Sequence, residues 1–165
     1  MMDYVTKLDE RVEDGIDEWR SSVLTKFFEG LTSFGSPVVT LTLILFLFSF
    51  ERSVVGVSLL LGLVLSGVLV TVIKRFVGRV RPESHLDVVF SEESFPSGHS
   101  TNAFGSAMIL SQYFGRRNLF FGLAGLVAVS RVYLDDHYLS DVVAGSLLGV
   151  AIGLVVVFAD VAAVV

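Results

Sequence analysis

The sequence predicts an all-α membrane protein, a helical bundle of about five transmembrane helices preceded by an amphipathic N-terminal helix. Three observations predict it. Hydrophobic residues make up 53% of the chain and charged ones 18%, with a mean hydropathy of +0.73, too apolar for an ordinary soluble domain of this size. The apolar residues fall in long runs separated by short polar turns. Inside those runs Gly and Ser recur, and in lipid such small residues let helices approach closely. A length of 165 residues is one domain's worth, so 1–165 reads as a single domain, with 1–36 as the amphipathic part and 54–159 as the core.

Each element follows in order. Val5, Leu8, Val12, Ile16, Trp19, Val23 and Phe27 recur at three- and four-residue steps with charges between them. That spacing predicts one amphipathic helix, either lying at the membrane surface with Trp19 at headgroup level or packing on the bundle. The first fifteen residues have no basic stretch leading into an apolar core, so they do not read as a cleaved signal peptide. "SFGSP" ends the helix, and Pro37 opens a first apolar run that ends at Phe50. After "ERS", a second run from Val54 to Ile73 has about the 20 residues needed to cross roughly 30 Å of hydrocarbon. Lys74 to Ser97 is a polar loop, basic early and acidic later, and His85 falls in it without a role. Runs from Ser100 to Phe114, Leu119 to Leu134 and Tyr138 to Phe158 follow, divided by "GRRN" and "DDH". Gly62, Ser66, Gly67, Gly105, Ser106, Gly122, Gly125, Gly145, Gly149 and Gly153 are the expected helix contacts. Asp160 reads as an interfacial residue at the C-terminal end.

Composition removes several functions. Without cysteine there are no disulfides, thiol catalysis or thiolate zinc sites, and three histidines leave little for another metal cluster. No basic, aromatic-interleaved face speaks for nucleic acid.

If each run crosses once, the end of the second, the start of the third, the end of the fourth and the start of the fifth share one side. Those places hold Lys74 to Pro82, Pro96 to His99, Ser130-Arg131 and His137 to Asp141. Taken singly, each has a plain structural reading. "KRFVGRVRP" is a juxtamembrane basic patch, "PSGH" a turn with Ser97 as helix cap, and "SRVYLDDHYLSD" a snorkelling Arg131 beside an acidic turn. His137 and Asp141, at i and i+4, share a helix face. Together the clusters say more. Lys74, Arg81 and Arg131 beside the Ser97-Gly98 amides at a helix N-terminus suit a phosphate dianion. At Gly98 a side chain would keep the backbone from close approach to the ligand. His99 and His137 supply acid and nucleophile, and Asp141 can hold the His137 ring in one tautomer.

Lys74, six residues, Arg81-Pro82; Pro96-Ser97-Gly98-His99; Ser130-Arg131, five residues, His137, three residues, Asp141: this series resembles the three-part signature of the type 2 phosphatidic acid phosphatase superfamily, which includes vanadium haloperoxidases. The resemblance covers roughly Val54 to Ala159. It implies that His137 attacks phosphorus and forms a phosphohistidine, that Asp141 orients His137, and that His99 protonates the leaving alkoxide and then activates water. It further implies that Lys74, Arg81, Ser97, Gly98 and Arg131 bind the phosphoryl oxygens, with no metal and no cofactor. In two respects the chain departs from the pattern. Asp135-Asp136 stand where relatives carry a neutral pair, and carboxylates there favour a protonated His137 and repel an anionic substrate unless screened or turned outward. Relatives have six spans, against five plus a helix here.

The function implied is an integral-membrane lipid phosphate phosphatase acting on a mono- or diphosphate headgroup in the bilayer. An isoprenyl diphosphate phosphatase is the alternative within the enzymes, and a non-catalytic lipid-binding protein the alternative outside them. A haloperoxidase is disfavoured, because that branch of the superfamily is long and soluble. Arg52, Arg116 and Arg117 lie in turns on the face opposite the site, which predicts a multi-pass cell-membrane protein with an extracytoplasmic site.

Overall fold

The computed structural model describes residues 2–82 and 92–164, so the expectation for His85 lies outside the described residues. Among the described residues seven helices follow one another: α1 (Met2–Asp17), α2 (Ser22–Thr32), α3 (Pro37–Ser49), α4 (Ser53–Val77), α5 (Gly98–Phe114), α6 (Arg117–Tyr133) and α7 (Leu139–Val164). A 3₁₀ turn at Ser33–Gly35 joins α2 to α3. Among the described residues there is no strand, only an isolated bridge between Val80 and Glu93.

The last four apolar runs become α4 to α7, but α4 runs on through Val77, so Lys74 sits in its last turn and not in the loop that the sequence predicted from that residue on. The N-terminal stretch differs: the one expected helix is two. Ser21 breaks it, its hydroxyl capping α2 by accepting from the Leu24 amide at 3.4 Å and its own amide donating to the Tyr133 hydroxyl at 3.0 Å. Trp19 stands exposed in the break. Of the two placements expected for the amphipathic face, packing on the bundle is what Val12 and Ile16 do, against Ala128, Val132 and Val142.

Among the described residues two helices, α4 and α7, are long and apolar enough to cross a membrane, and there are three crossings if α2 and α3, bent by 54°, form one span. α5 and α6 have 17 residues each, about 26 Å of helix. Apolar side chains such as Leu61, Val64, Val68, Leu119, Leu147 and Phe158 stand bare around the bundle, a belt too continuous for water.

α5 is the central helix, and α7 packs on it through glycines. A Cβ on Gly145 would stand 2.5 Å from the Ser97 carbonyl oxygen, and one on Gly153 2.6 Å from Met108 Cβ. Gly105 faces Gly149 in the same seam, and Gly62 on α4 faces Ile109. Gly67, Gly122 and Gly125 correct the sequence expectation: nothing lies within 4 Å of a Cβ there, so these glycines mark no contact. Ile44, Leu47, Val55, Leu59, Ile109, Val156 and Val157 make the core at the far end. There Asp160 does more than face an interface. It accepts from the Ser58 hydroxyl at 2.6 Å and the Tyr113 hydroxyl at 2.8 Å, tying α4, α5 and α7 together.

Candidate active site

Four chain segments bring the polar residues to one end of the bundle. α4 stops at Gly78, whose φ of +58° lets its amide close on the Lys74 carbonyl at 2.8 Å. The chain then folds back as Arg79 to Pro82. Ser94 clamps this return, its amide donating to the Arg79 carbonyl at 2.7 Å and its hydroxyl reaching the Arg79 and Val80 carbonyls. Lys74 is buried and its ammonium donates to the Glu93 carbonyl.

Ser97 opens α5. Its buried hydroxyl accepts from the Ser100 amide at 3.4 Å and from the Ser100 hydroxyl at 3.0 Å, and its amide donates to the Asp141 carbonyl at 3.0 Å. The cap reading therefore describes the Ser97 side chain, and the amides of Gly98 and His99 are left in the first turn without an intrahelical acceptor. A Cβ on Gly98 would meet only Val70 Cγ1 at an ordinary 3.6 Å, so packing does not demand glycine there. Behind His99, the α2–α3 elbow closes in: a Cβ on Gly35 would touch the His99 carbonyl at 3.0 Å. Asn102 fastens that elbow by donating to the Gly35 carbonyl at 3.1 Å and the Thr40 hydroxyl at 2.8 Å.

Arg131 ends α6 with 4% exposure, donating to the Thr32 hydroxyl at 2.8 Å and pairing with Asp136 at 2.9 Å. The turn after it is wound on the Arg131 carbonyl, which accepts the Asp136 and His137 amides at 3.2 Å each. Asp135, at φ +53°, turns outward to pair with Arg20. His137 then presents its Nε2 to Arg81 Nη1 at 3.3 Å, while Arg81 also donates to the Asp136 carbonyl at 3.0 Å. On the other side His137 Nδ1 is 3.8 Å from Asp141 Oδ2, with no hydrogen-bond partner among the described residues. That distance is an electrostatic contact and too long for a hydrogen bond. His99 lies within electrostatic reach of His137, Arg131 and Arg81.

Burial pushes the His137 imidazole down to about 4; the Asp141 carboxylate opposes this, and Arg131, Arg81 and Lys74 reinforce it. Its lone pair is therefore available at neutral pH. This corrects the expectation that Asp135 and Asp136 would keep His137 protonated: one carboxylate is taken by Arg20 and the other by Arg131. A buried imidazole, three cations and the first-turn amides of α5 meet at this end, an arrangement whose chemistry suits an oxyanion.

Comparison with known proteins decides the family. Residues 55–162 match the family model described as the PAP2 superfamily. The chain belongs to that superfamily. A PAP2 relative, phosphatidylglycerophosphatase B of Bacillus subtilis (strain 168), is 30% identical over 88% of this chain and 79% of its own. Lipid A 1-phosphatase of Rhizobium johnstonii is 37% identical over 58% of this chain, which spans 43% of that longer protein. Among solved PAP2 structures, the transmembrane PAP2-type phosphatidylglycerolphosphate phosphatase from Bacillus subtilis superposes with a TM-score of 0.84 at 29% identity, covering 95% of this chain and 86% of that one. LpxE from Aquifex aeolicus superposes with a TM-score of 0.78 at 30% identity, over 91% and 94%.

Several supports of this PAP2 site escaped the sequence reading: Arg79, Asp9, Ser140, Thr32, Gly35 and Arg20. One signal was present. Asp9 follows Val5 by four residues and precedes Val12 by three, so it is a charge on the apolar face of α1, and it is 2% exposed. Thr32 and Gly35 gave none, because their partners lie 99 and 64 positions away.

Proposed function

We propose that this chain is an integral-membrane lipid phosphate phosphatase that hydrolyses a phosphomonoester or diphosphate headgroup through a phosphohistidine, with fixed cations rather than a metal. The observation that carries the reading is the His137 ring, neutral and buried, with one nitrogen beside Arg81 and the other toward Asp141.

In the proposed reaction Arg81, Arg131, Lys74 and the Gly98 and His99 amides bind the phosphoryl oxygens, and Ser97 fixes the helix end that presents those amides. Nε2 of His137 gives its lone pair to phosphorus and the ester P–O bond breaks. His99 gives its proton to the departing alkoxide, so the lipid alcohol leaves neutral. The proton on Nδ1 faces Asp141, whose charge stabilises the cationic ring formed in this step. Water then attacks phosphorus, yielding a proton to His99 as the P–N bond breaks, and phosphate is released with both histidines restored. Arg81, which donates toward Nε2, turns to the phosphoryl oxygens in this reaction.

The bilayer gives the reason for the setting. α2–α3, α4, α5, α6 and α7 serve as five crossings in this reading, with the lipid tails in hydrocarbon and the headgroup at the cationic end. The arginines of the opposite turns support an orientation with that end outside the cytoplasm. The names of the relatives support a lipid phosphate and span mono- and diphosphates: phosphatidylglycerophosphatase, lipid A phosphatases and dolichyldiphosphatase. The test is a panel of phosphatidylglycerophosphate, phosphatidic acid and a prenyl diphosphate, assayed in detergent with chelator across salt concentrations. Chelator-resistant release from at least one, lost in His137→Ala, is expected. No release from any of them would favour a lipid-binding protein without catalysis.

A further inference from the structure

Beneath the site lies a charge cluster that the mechanism above does not use. Arg79 is two residues before Arg81 and points the other way, into the groove between α1 and α7. Its Nη1 donates to Asp141 Oδ1 at 2.8 Å and to the Ser140 hydroxyl at 2.6 Å, and its Nη2 to Asp9 Oδ2 at 2.7 Å. The guanidinium also lies over the Tyr138 ring, 4.1 Å from its centre. Three donor directions of its end group are used, and the ring covers a face. Asp9 in turn caps α7 from another helix: Oδ1 accepts the Ser140 amide at 3.0 Å and Oδ2 the Ser140 hydroxyl at 2.6 Å. Asp9 is 2% exposed and Asp141 0%, so this carboxylate–guanidinium–carboxylate chain is buried at both carboxylates, while the Arg79 side chain between them keeps 24% exposure.

The geometry of Asp141 explains what the chain does. Its Oδ2 accepts the Tyr138 amide at 3.1 Å and faces His137, while Oδ1 is held by Arg79. Rotation of the carboxylate about Cβ–Cγ is therefore fixed from behind. A buried carboxylate with one oxygen unpaired would turn or take up a proton, and either change would remove its charge from His137.

We propose that Arg79, anchored by Asp9 of the N-terminal helix, is a positioning residue: it holds Asp141 ionised and oriented toward His137, and so couples α1 to the reaction. This rests on the phosphatase reading for its kinetic consequence, though the coupling of Arg79 to His137 stands on the contacts alone. Because the chain of contacts passes through α1, that helix is part of the site's support and not only a surface anchor.

The experiment uses the full chain in detergent, wild type against Arg79→Gln, Arg79→Lys, Asp9→Asn and the Asp9→Asn/Arg79→Gln double variant. Arg75→Gln, on an exposed neighbouring side chain, is the control. Two readouts are taken: kcat and KM for a lipid phosphate, and the titration of the His137 ring followed by ¹⁵N imidazole NMR. Arg79→Gln is expected to lower kcat about 10- to 100-fold with KM within about twofold, the range typical when an outer partner of an active group is lost. Arg79→Lys restores part of this, Asp9→Asn costs less, and the double variant is no worse than Arg79→Gln. The groups facing His137 are Lys74 from α4, Arg81 from the return loop, His99 from α5, Arg131 from α6, Asp136 from its own turn and Asp141 from α7. Only the last contacts Arg79, and its charge is the one that favours a protonated ring, so a carboxylate that turns away or takes up a proton when Arg79 is lost lowers the His137 titration point. A rise in KM alone, a kcat loss that multiplies with Asp9→Asn, or a His137 titration that stays put or moves up would overturn the proposal. Should Arg79→Gln unfold, Asp9→Asn is judged by the same two readouts. Should the wild type release no phosphate at all, the phosphatase reading falls, and the NMR titration alone decides the coupling.

Discussion

His137 reaches neutrality by burial among cations, and that has a consequence for stability. Its imidazole titrates near 4 in the folded protein and about 6.5 in an unfolded chain, so the folded state binds fewer protons between those values. Stability from the neutral ring is present above about pH 6.5 and lost as pH falls toward 4, on the order of 3 kcal/mol. Denaturant melts of wild type and His137→Gln across this window should converge as pH drops; a constant difference would contradict the shifted ring. Gly98 makes a separate prediction. A methyl there meets only Val70 at ordinary contact, so Gly98→Ala should fold normally yet lose about tenfold or more in kcat/KM, because the methyl keeps the phosphoryl group off the first-turn amides. Equal losses of activity and melting temperature would assign the glycine to packing. At this scale the motif residues were legible because their types and spacings are chemical. The fate of Asp135 and Asp136 was not, since Arg20 is 115 positions from Asp135 and nothing in the local sequence announces the pair.

Among the elements, the α5–α7 seam decides whether the site assembles, because it brings the Ser97 amide onto the Asp141 carbonyl. Gly145→Val would put two methyls against the Ser97 backbone and is expected to cost about 1–3 kcal/mol of overpacking and most of the activity. Gly122→Val, on a face with nothing within 4 Å, should cost neither. Thermal unfolding in detergent of the two variants side by side checks this; similar melting points would refute the seam. Hydropathy revealed α3 to α7 because each is a continuous apolar run bounded by Gly, Pro or charge. It could not separate α1 from α2. Their periodicity continues through Trp19, and the break depends on Ser21 reaching Tyr133, 112 residues away.

For the whole molecule, the account requires one cationic end facing out of the cytoplasm and one arginine-bearing end facing in. The absence of cysteine makes the orientation easy to read: a single Arg116→Cys in the turn before α6 should be labelled by an impermeant maleimide only after the membrane is opened. Labelling in intact cells would invert the topology. What convergence in sequence foretold was the gathering of three motifs at one end. The brace from α1 beneath them follows from folding back a segment remote in the chain. The central claim, that His137 attacks phosphorus within the cationic pocket, is tested most directly by trapping. Wild-type protein mixed with lipid phosphate carrying ³²P and quenched in alkaline detergent should retain a base-stable, acid-labile label on the chain, and His137→Gln should retain none. A label that survives in His137→Gln, or phosphate release by the wild type at full rate with no label on any time scale, would contradict the account.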